Sequence, residues 1–150
     1  MVEYSPDEPA RVSRGEGVLA ALHALLGVFP AAYFLLAFLM DVAYVRTAYF
    51  IWSYFSIWLI TAGLIAGALA VLLGLADWLI RRRTAHRRGS AWHGAVTIVA
   101  LLLGLLNSFI HSRDGWTAVV PAGIILSGVT ALLMIVVAFL GPFSARRTVR

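Results

Sequence analysis

The stretch Gly74-Leu-Ala-Asp77-Trp-Leu-Ile-Arg81-Arg82-Arg83-Thr-Ala-His86-Arg87-Arg88-Gly-Ser-Ala-Trp92-His93-Gly94 decides how the chain is read. It joins two long apolar runs through a loop dense in arginine. It carries His86 and His93, half of the histidines, and Asp77 reads as the one acid embedded in an apolar run. Two apolar segments of helical length, joined by a short basic loop, form the pattern of a membrane hairpin whose loop faces the cytoplasm.

Composition agrees. Of the 150 residues, 61% are hydrophobic and only 13% charged, and mean hydropathy is +0.89. A soluble domain is about half apolar and a quarter charged, so the apolar surface of this chain faces lipid. The net charge is +5 and every basic residue is arginine. These arginines flank apolar spans, which assigns them to membrane topology and not to nucleic-acid binding. With no cysteine, disulfides, thiolate metal sites, covalent haem attachment and Cys-ligated iron–sulfur clusters are excluded.

Outward from the arginine loop, four spans are expected. The polar N-terminal tail, residues 1–16, lacks the layout of a cleaved signal peptide, and the first span is read as retained. Span one covers about residues 17–40, with His23, Gly27 and Pro30 on one face. Pro30 removes a helical hydrogen bond and predicts a kink. Residues 41–46 read as a short turn with one acid, Asp41, and one base, Arg46.

Span two, about residues 50–80, opens with an aromatic cluster that suits headgroup depth. It then carries Gly63, Gly67, Ala70, Gly74 and Asp77 in helical register. Such small residues let helices approach closely in lipid. Span three, about residues 90–111, places His93, Thr97, Ala100, Gly104, Asn107 and His111 on one stripe, its two histidines about 27 Å apart. His111 is expected to be solvated at the membrane surface. Span four, about residues 117–140, has Pro121 near its first turn and ends at Gly141-Pro142, before a basic tail over 142–150.

Arg11 and Arg14 lie in the first tail and Arg146, Arg147 and Arg150 in the last. Five more arginines fill the middle loop, against only Arg46 and Arg113 in the other connections. This distribution predicts both termini and the middle loop in the cytoplasm. The short connections predict antiparallel neighbours, hence an all-α integral membrane protein built as an up-down bundle of four transmembrane helices.

The residues also resemble a known family. His23 with Phe29-Pro30 in span one, the closing Gly74-Leu-Ala-Asp77 of span two, the arginine-rich loop and His93 together resemble the bacterial four-span family named domain of unknown function 2231. Members commonly open with a pattern like His-Pro-x-x-x-His-Phe-Pro. Here Ala24 stands for the first proline and Val28 for the second histidine, which counts against a two-histidine role within span one. The resemblance covers about residues 20–140. It implies the four-span fold and a loose tie to respiratory chemistry, since some relatives are fused to Rieske-type or cytochrome c domains; the chain is expected in a bacterial inner membrane. It implies no defined activity.

Topology sets His23, Asp77 and His93 at similar depth on three helices. One reading makes them structural: Asp77 pairs with Arg81 at i, i+4, and Arg81, Arg82, Arg83, Arg87 and Arg88 meet lipid headgroups. In that reading the chain is a small accessory or anchor subunit of a larger membrane complex, respiratory or dehydrogenase in type, with lipid and other membrane subunits as partners and no nucleic acid. The alternative is an electron-transfer module in which His23 and His93 ligate a haem b. Gly27, Gly74 and Gly94 then leave room for the porphyrin, and the loop arginines hold its propionates. A metal or proton site on His23, Asp77 and His93 is a third reading, with no short ligand spacing behind it. No nucleophile motif or phosphate-binding glycine loop is present, so no enzymatic activity is expected.

Overall fold

A computed structural model describes residues 14–81, 90–113 and 115–146, with side chains over 21–79, 92–113 and 115–139 except at 23, 24 and 77. Four helices follow one another: α1 (Arg14–Thr47), α2 (Ile51–Arg81), α3 (Ser90–His111) and α4 (Ala122–Arg146), with a 3-10 turn (Gly115–Ala118) before α4. There is no strand among the described residues. Each helix holds a stretch long and apolar enough to cross a bilayer: Leu25–Thr47, Ile51–Ala76 and Trp92–His111, with Gly115–Phe139 taking in the 3-10 turn and α4. A helix is the form such runs must take, because lipid offers the backbone no hydrogen-bonding partner. Leucines, isoleucines and phenylalanines cover the outside and contact lipid.

The helices pack in a ring. α1 lies against α2 and α4, and α3 against α2 and α4, while the diagonal pairs α1–α3 and α2–α4 make little direct contact. This is the expected four-helix bundle. Trp58 and Trp78 stand exposed on α2. Twenty residues of helix separate them by about 30 Å, the thickness of a bilayer's hydrocarbon layer. Tyr49, Tyr54 and Trp116 extend the belt at the Trp58 end, and Trp92 joins Trp78 at the other.

Several expected boundaries are corrected. Residues 41–46 are not a turn. α1 continues to Thr47, so Asp41 and Tyr44 sit on its buried face below Phe34 and Ala37. The turn to α2 comes later, where Ala48 takes a left-handed conformation (φ 56°) and its N–H donates to the Tyr44 carbonyl at 2.8 Å, a helix-ending bond. Nor does α4 begin at residue 117 or stop at Gly141-Pro142. The 3-10 turn and a cis Val120–Pro121 bond precede it, and it runs on to Arg146. Pro30 lies inside α1 without ending it.

Small residues set how closely the helices meet. The Phe34 ring fills the centre of the bundle beside Gly63 of α2 and Gly104 of α3, with Ile60, Ala100 and Met134 around it. A Cβ at Gly104 would lie 2.8 Å from that ring, so the ring occupies the space the missing side chain leaves. Among the described glycines, the tightest approach to backbone is at Gly123 of α4. A Cβ there would stand 2.6 Å from the Ala118 carbonyl oxygen and 2.9 Å from the His111 ring. Backbone cannot yield as a side-chain tip can. Gly123→Ala is therefore expected to destabilise the protein by about 1–3 kcal/mol in reversible unfolding in mixed micelles, whereas Gly94→Ala, with nothing within 4 Å, should change stability by less than about 0.5 kcal/mol.

Candidate functional site: a buried polar layer joining all four helices

The strongest concentration of chemistry lies near the two short connections, at the opposite end of the bundle from the arginine loop. Asp41 of α1, Ser56 of α2, Asn107 and His111 of α3, and Ser127 of α4 are all buried. Each comes from a helix face that otherwise carries small or apolar residues, so packing of those faces brings the polar groups together. Ser56 lies half a turn from Trp58, which places the layer at the inner edge of the aromatic belt.

The contacts form one network. His111 Nε2 lies 2.9 Å from Asp41 Oδ1 and 3.3 Å from Ser56 Oγ. His111 Nδ1 lies 3.1 Å from both the side-chain and the backbone oxygen of Asn107. The Asn107 amide donates to Ser127 Oγ at 2.7 Å, and Ser127 donates to Asp41 Oδ2. Ser56 donates to the Ala37 carbonyl at 3.3 Å. The Asp41–His111 contact spans α1 and α3, the diagonal pair that otherwise scarcely touch.

Counting donors fixes most of the protons. Ser127 has a single O–H, and Asp41 Oδ2 takes it, so Ser127 accepts from the Asn107 NH2. The Asn107 oxygen then faces His111, and Nδ1 must carry a proton to meet it. On the other side of the ring, one proton lies between Nε2 and Asp41 Oδ1. Whichever atom holds it, the pair is electrically neutral as a whole, which is how two ionisable groups can be buried at membrane depth.

Serine, histidine and aspartate here are not arranged for nucleophilic catalysis. That chemistry needs the serine on one ring nitrogen and the acid on the other. Ser56 and Asp41 share Nε2, while Asn107 occupies Nδ1. No group of three or more metal-ligating side chains occurs among the described residues.

Apolar material closes the layer on both sides. Toward the short connections, Tyr44, Ala118 and Val119 form a cluster with Trp52, Val120 and Ile124, and Trp116 packs on Tyr44 with ring centres 5.5 Å apart. Toward the bundle centre stand Phe34, Ile60, Ala100 and Met134. Thr130, one turn from Ser127, is fully buried and its hydroxyl has no hydrogen-bond partner.

His111 was expected to be solvated at the surface. It is buried instead, because α1 brings Asp41 level with it and its ring packs at Gly123, where Ala118 of the 3-10 turn also lies. Asp77 is accordingly not the only acid within an apolar run. Among the other residues singled out, Gly63 and Gly67 are buried on α2, Pro30 is buried on α1, Gly74 and His93 are half-buried, and Gly27 and Gly94 have open space beside their Cα atoms. On α3, Ala100, Gly104, Asn107 and His111 all point inward, as the stripe predicts. His23, Asp77 and Arg81 lie on helices with side chains outside the described set, and Arg82, Arg83, Arg87 and Arg88 lie outside the described residues.

Two substitutions on α4 separate a used hydroxyl from an unused one. Ser127→Ala leaves Asp41 Oδ2 and the Asn107 amide unmet and should cost about 1–2 kcal/mol. Thr130→Val keeps the volume and removes a buried hydroxyl without a partner, so it should be neutral or stabilising by up to about 1 kcal/mol. Reversible unfolding in mixed micelles measures both.

No curated protein and no solved structure matches the chain. The sequence profile of the family described as predicted membrane protein (DUF2231) matches residues 19–148, which takes in all four spans and the polar layer. By fold and by sequence, the chain belongs to this family of predicted membrane proteins.

Proposed function

We propose that the protein is a small accessory or anchor subunit of a larger membrane assembly, without enzymatic activity of its own, placed in a bacterial inner membrane with both termini in the cytoplasm. One observation carries this reading: the buried described side chains gather toward the short-connection end of the bundle. Among the described side chains, none before Pro30 in α1, after Ala70 in α2, before Ala100 in α3 or after Val137 in α4 is buried. Gly27 and Gly94 have no neighbour within 4 Å. The described side chains of the turns nearest the arginine loop thus add nothing to the core, and a membrane partner seated there would complete it. The arginine distribution supports the orientation, and the family's respiratory associations favour a respiratory or dehydrogenase complex.

A second reading has its own support. Asp41 and His111 touch, and His23 and His93 each lie 18 residues from them along α1 and α3. Eighteen residues are five turns, which returns each histidine to the same helix face at a matching depth. Histidines at these two positions, on the two helices of one diagonal, suit the axial positions of a haem b.

Purification of the tagged chain in mild detergent from haem-replete cells tests both readings. The subunit reading expects other membrane polypeptides at fixed stoichiometry, and a clean monomer contradicts it. The haem reading expects a Soret band that His23→Ala and His93→Ala each abolish, and a colourless folded protein contradicts it.

A further inference from the structure

We infer that Asp41 and His111 form an occluded proton-binding site that exchanges with water at the short-connection end of the bundle. The ligand is the single proton between His111 Nε2 and Asp41 Oδ1, which lie 2.9 Å apart with neither side chain accessible to solvent. Every other donor and acceptor of the pair is committed elsewhere: Nδ1 to Asn107, Oδ2 to Ser127, and the Ser56 hydroxyl to the Ala37 carbonyl. The network therefore has room for one variable proton and no more. With it the pair is neutral. Without it, the site is a carboxylate beside a neutral imidazole that keeps its Nδ1 proton, and carries one negative charge.

Among the described residues, no other charge compensates that change. Tyr44 of α1 is the only other described titratable side chain buried near the layer, α2 and α4 contribute only serine hydroxyls to it, and Arg46 and Arg113 are exposed. Loss of the proton would thus leave an uncompensated charge at membrane depth, a costly state. Uptake and release must accordingly be coupled to admission of water.

The two apolar closures are unequal, which sets the side of access. Toward the bundle centre, Phe34 is wedged between α2 and α3 and backed by Ile60, Ala100 and Met134. On the other side the cover is the 3-10 turn and its Trp116 on Tyr44. Gly115, at φ +65°, begins that turn, and Trp116 is itself exposed. Displacing a four-residue turn opens the layer without unpacking a helix. The geometry thus describes a proton site gated by Trp116 and closed toward the arginine-loop half by Phe34.

The test is nitrogen NMR on 15N-histidine-labelled protein in lipid nanodiscs at neutral pH, with His111 assigned by loss of its signals in His111→Gln. The wild type should show His111 with Nδ1 protonated and an Nε2 signal displaced from that of a bare ring nitrogen by the shared proton. Its ring protons should exchange with water at least tenfold more slowly than those of free histidine. Asp41→Asn should return Nε2 to the signal of a bare nitrogen. Trp116→Ala should speed the exchange at least tenfold without changing the ring signals. Should Asp41→Asn fail to fold, Ser127→Ala serves in its place: it removes the hydroxyl that orients Asn107 and should speed Nδ1 exchange while leaving the Nε2 signal displaced. Ring protons of the wild type exchanging as fast as those of free histidine, or an Nε2 signal indifferent to Asp41→Asn, would overturn the site. Exchange unaffected by Trp116→Ala would overturn the route.

Discussion

A polar group buried in a membrane bundle has neither water nor a polar neighbour to turn to, so it must be satisfied by the protein itself. Asp41 and His111 meet that constraint together. Each would be prohibitive alone, and as a pair they are neutral and fully hydrogen-bonded. They also do what packing leaves undone: they join α1 to α3 across the diagonal. Ser56 and Ser127 add α2 and α4 through the same two side chains. One layer of five residues thereby fixes the register of all four helices at one end.

The rest of the structure follows from this asymmetry. Below the polar layer, glycine at 63 and 104 admits the Phe34 ring, and the apolar core is tight. Above it, an aromatic cover formed by the connection into α4 excludes water. Beyond Pro30, Ala70, Ala100 and Val137, toward the arginine loop, no described side chain is buried. A bundle held firmly at one end, with no buried described side chain in the turns nearest the arginine loop, is suited to receiving something there. The subunit and haem readings are two versions of that inference, and they differ in what fills the space.

The architecture was legible in the sequence because bilayer thickness leaves few alternatives. Four apolar runs of about 20 residues separated by short connections admit few topologies. The inward face of α3 was legible too, since Ala100, Gly104, Asn107 and His111 recur at helical spacing. The polar layer was not, for one physical reason. The proximity of Asp41 to Arg46 resembles a turn, and a charged residue near the end of a span is ordinarily assigned to water. Yet Phe34, Ala37, Asp41 and Tyr44 share a helix face as clearly as the stripe on α3 does. Extending that face four residues past Met40, and matching its acid to the histidine on α3, was the available signal. The 3-10 turn over the layer carries no such periodicity.

The measurement closest to the central claim is a double-mutant cycle on Asp41 and His111, read as unfolding free energy in mixed micelles. Asp41→Ala and His111→Ala each remove one partner of a buried pair, and each should cost about 3–5 kcal/mol. The double variant should lose less than their sum by about 1.5–3 kcal/mol, because the second truncation removes a group the first left stranded. Additive losses would mean that the two residues stabilise the bundle independently and would contradict the account.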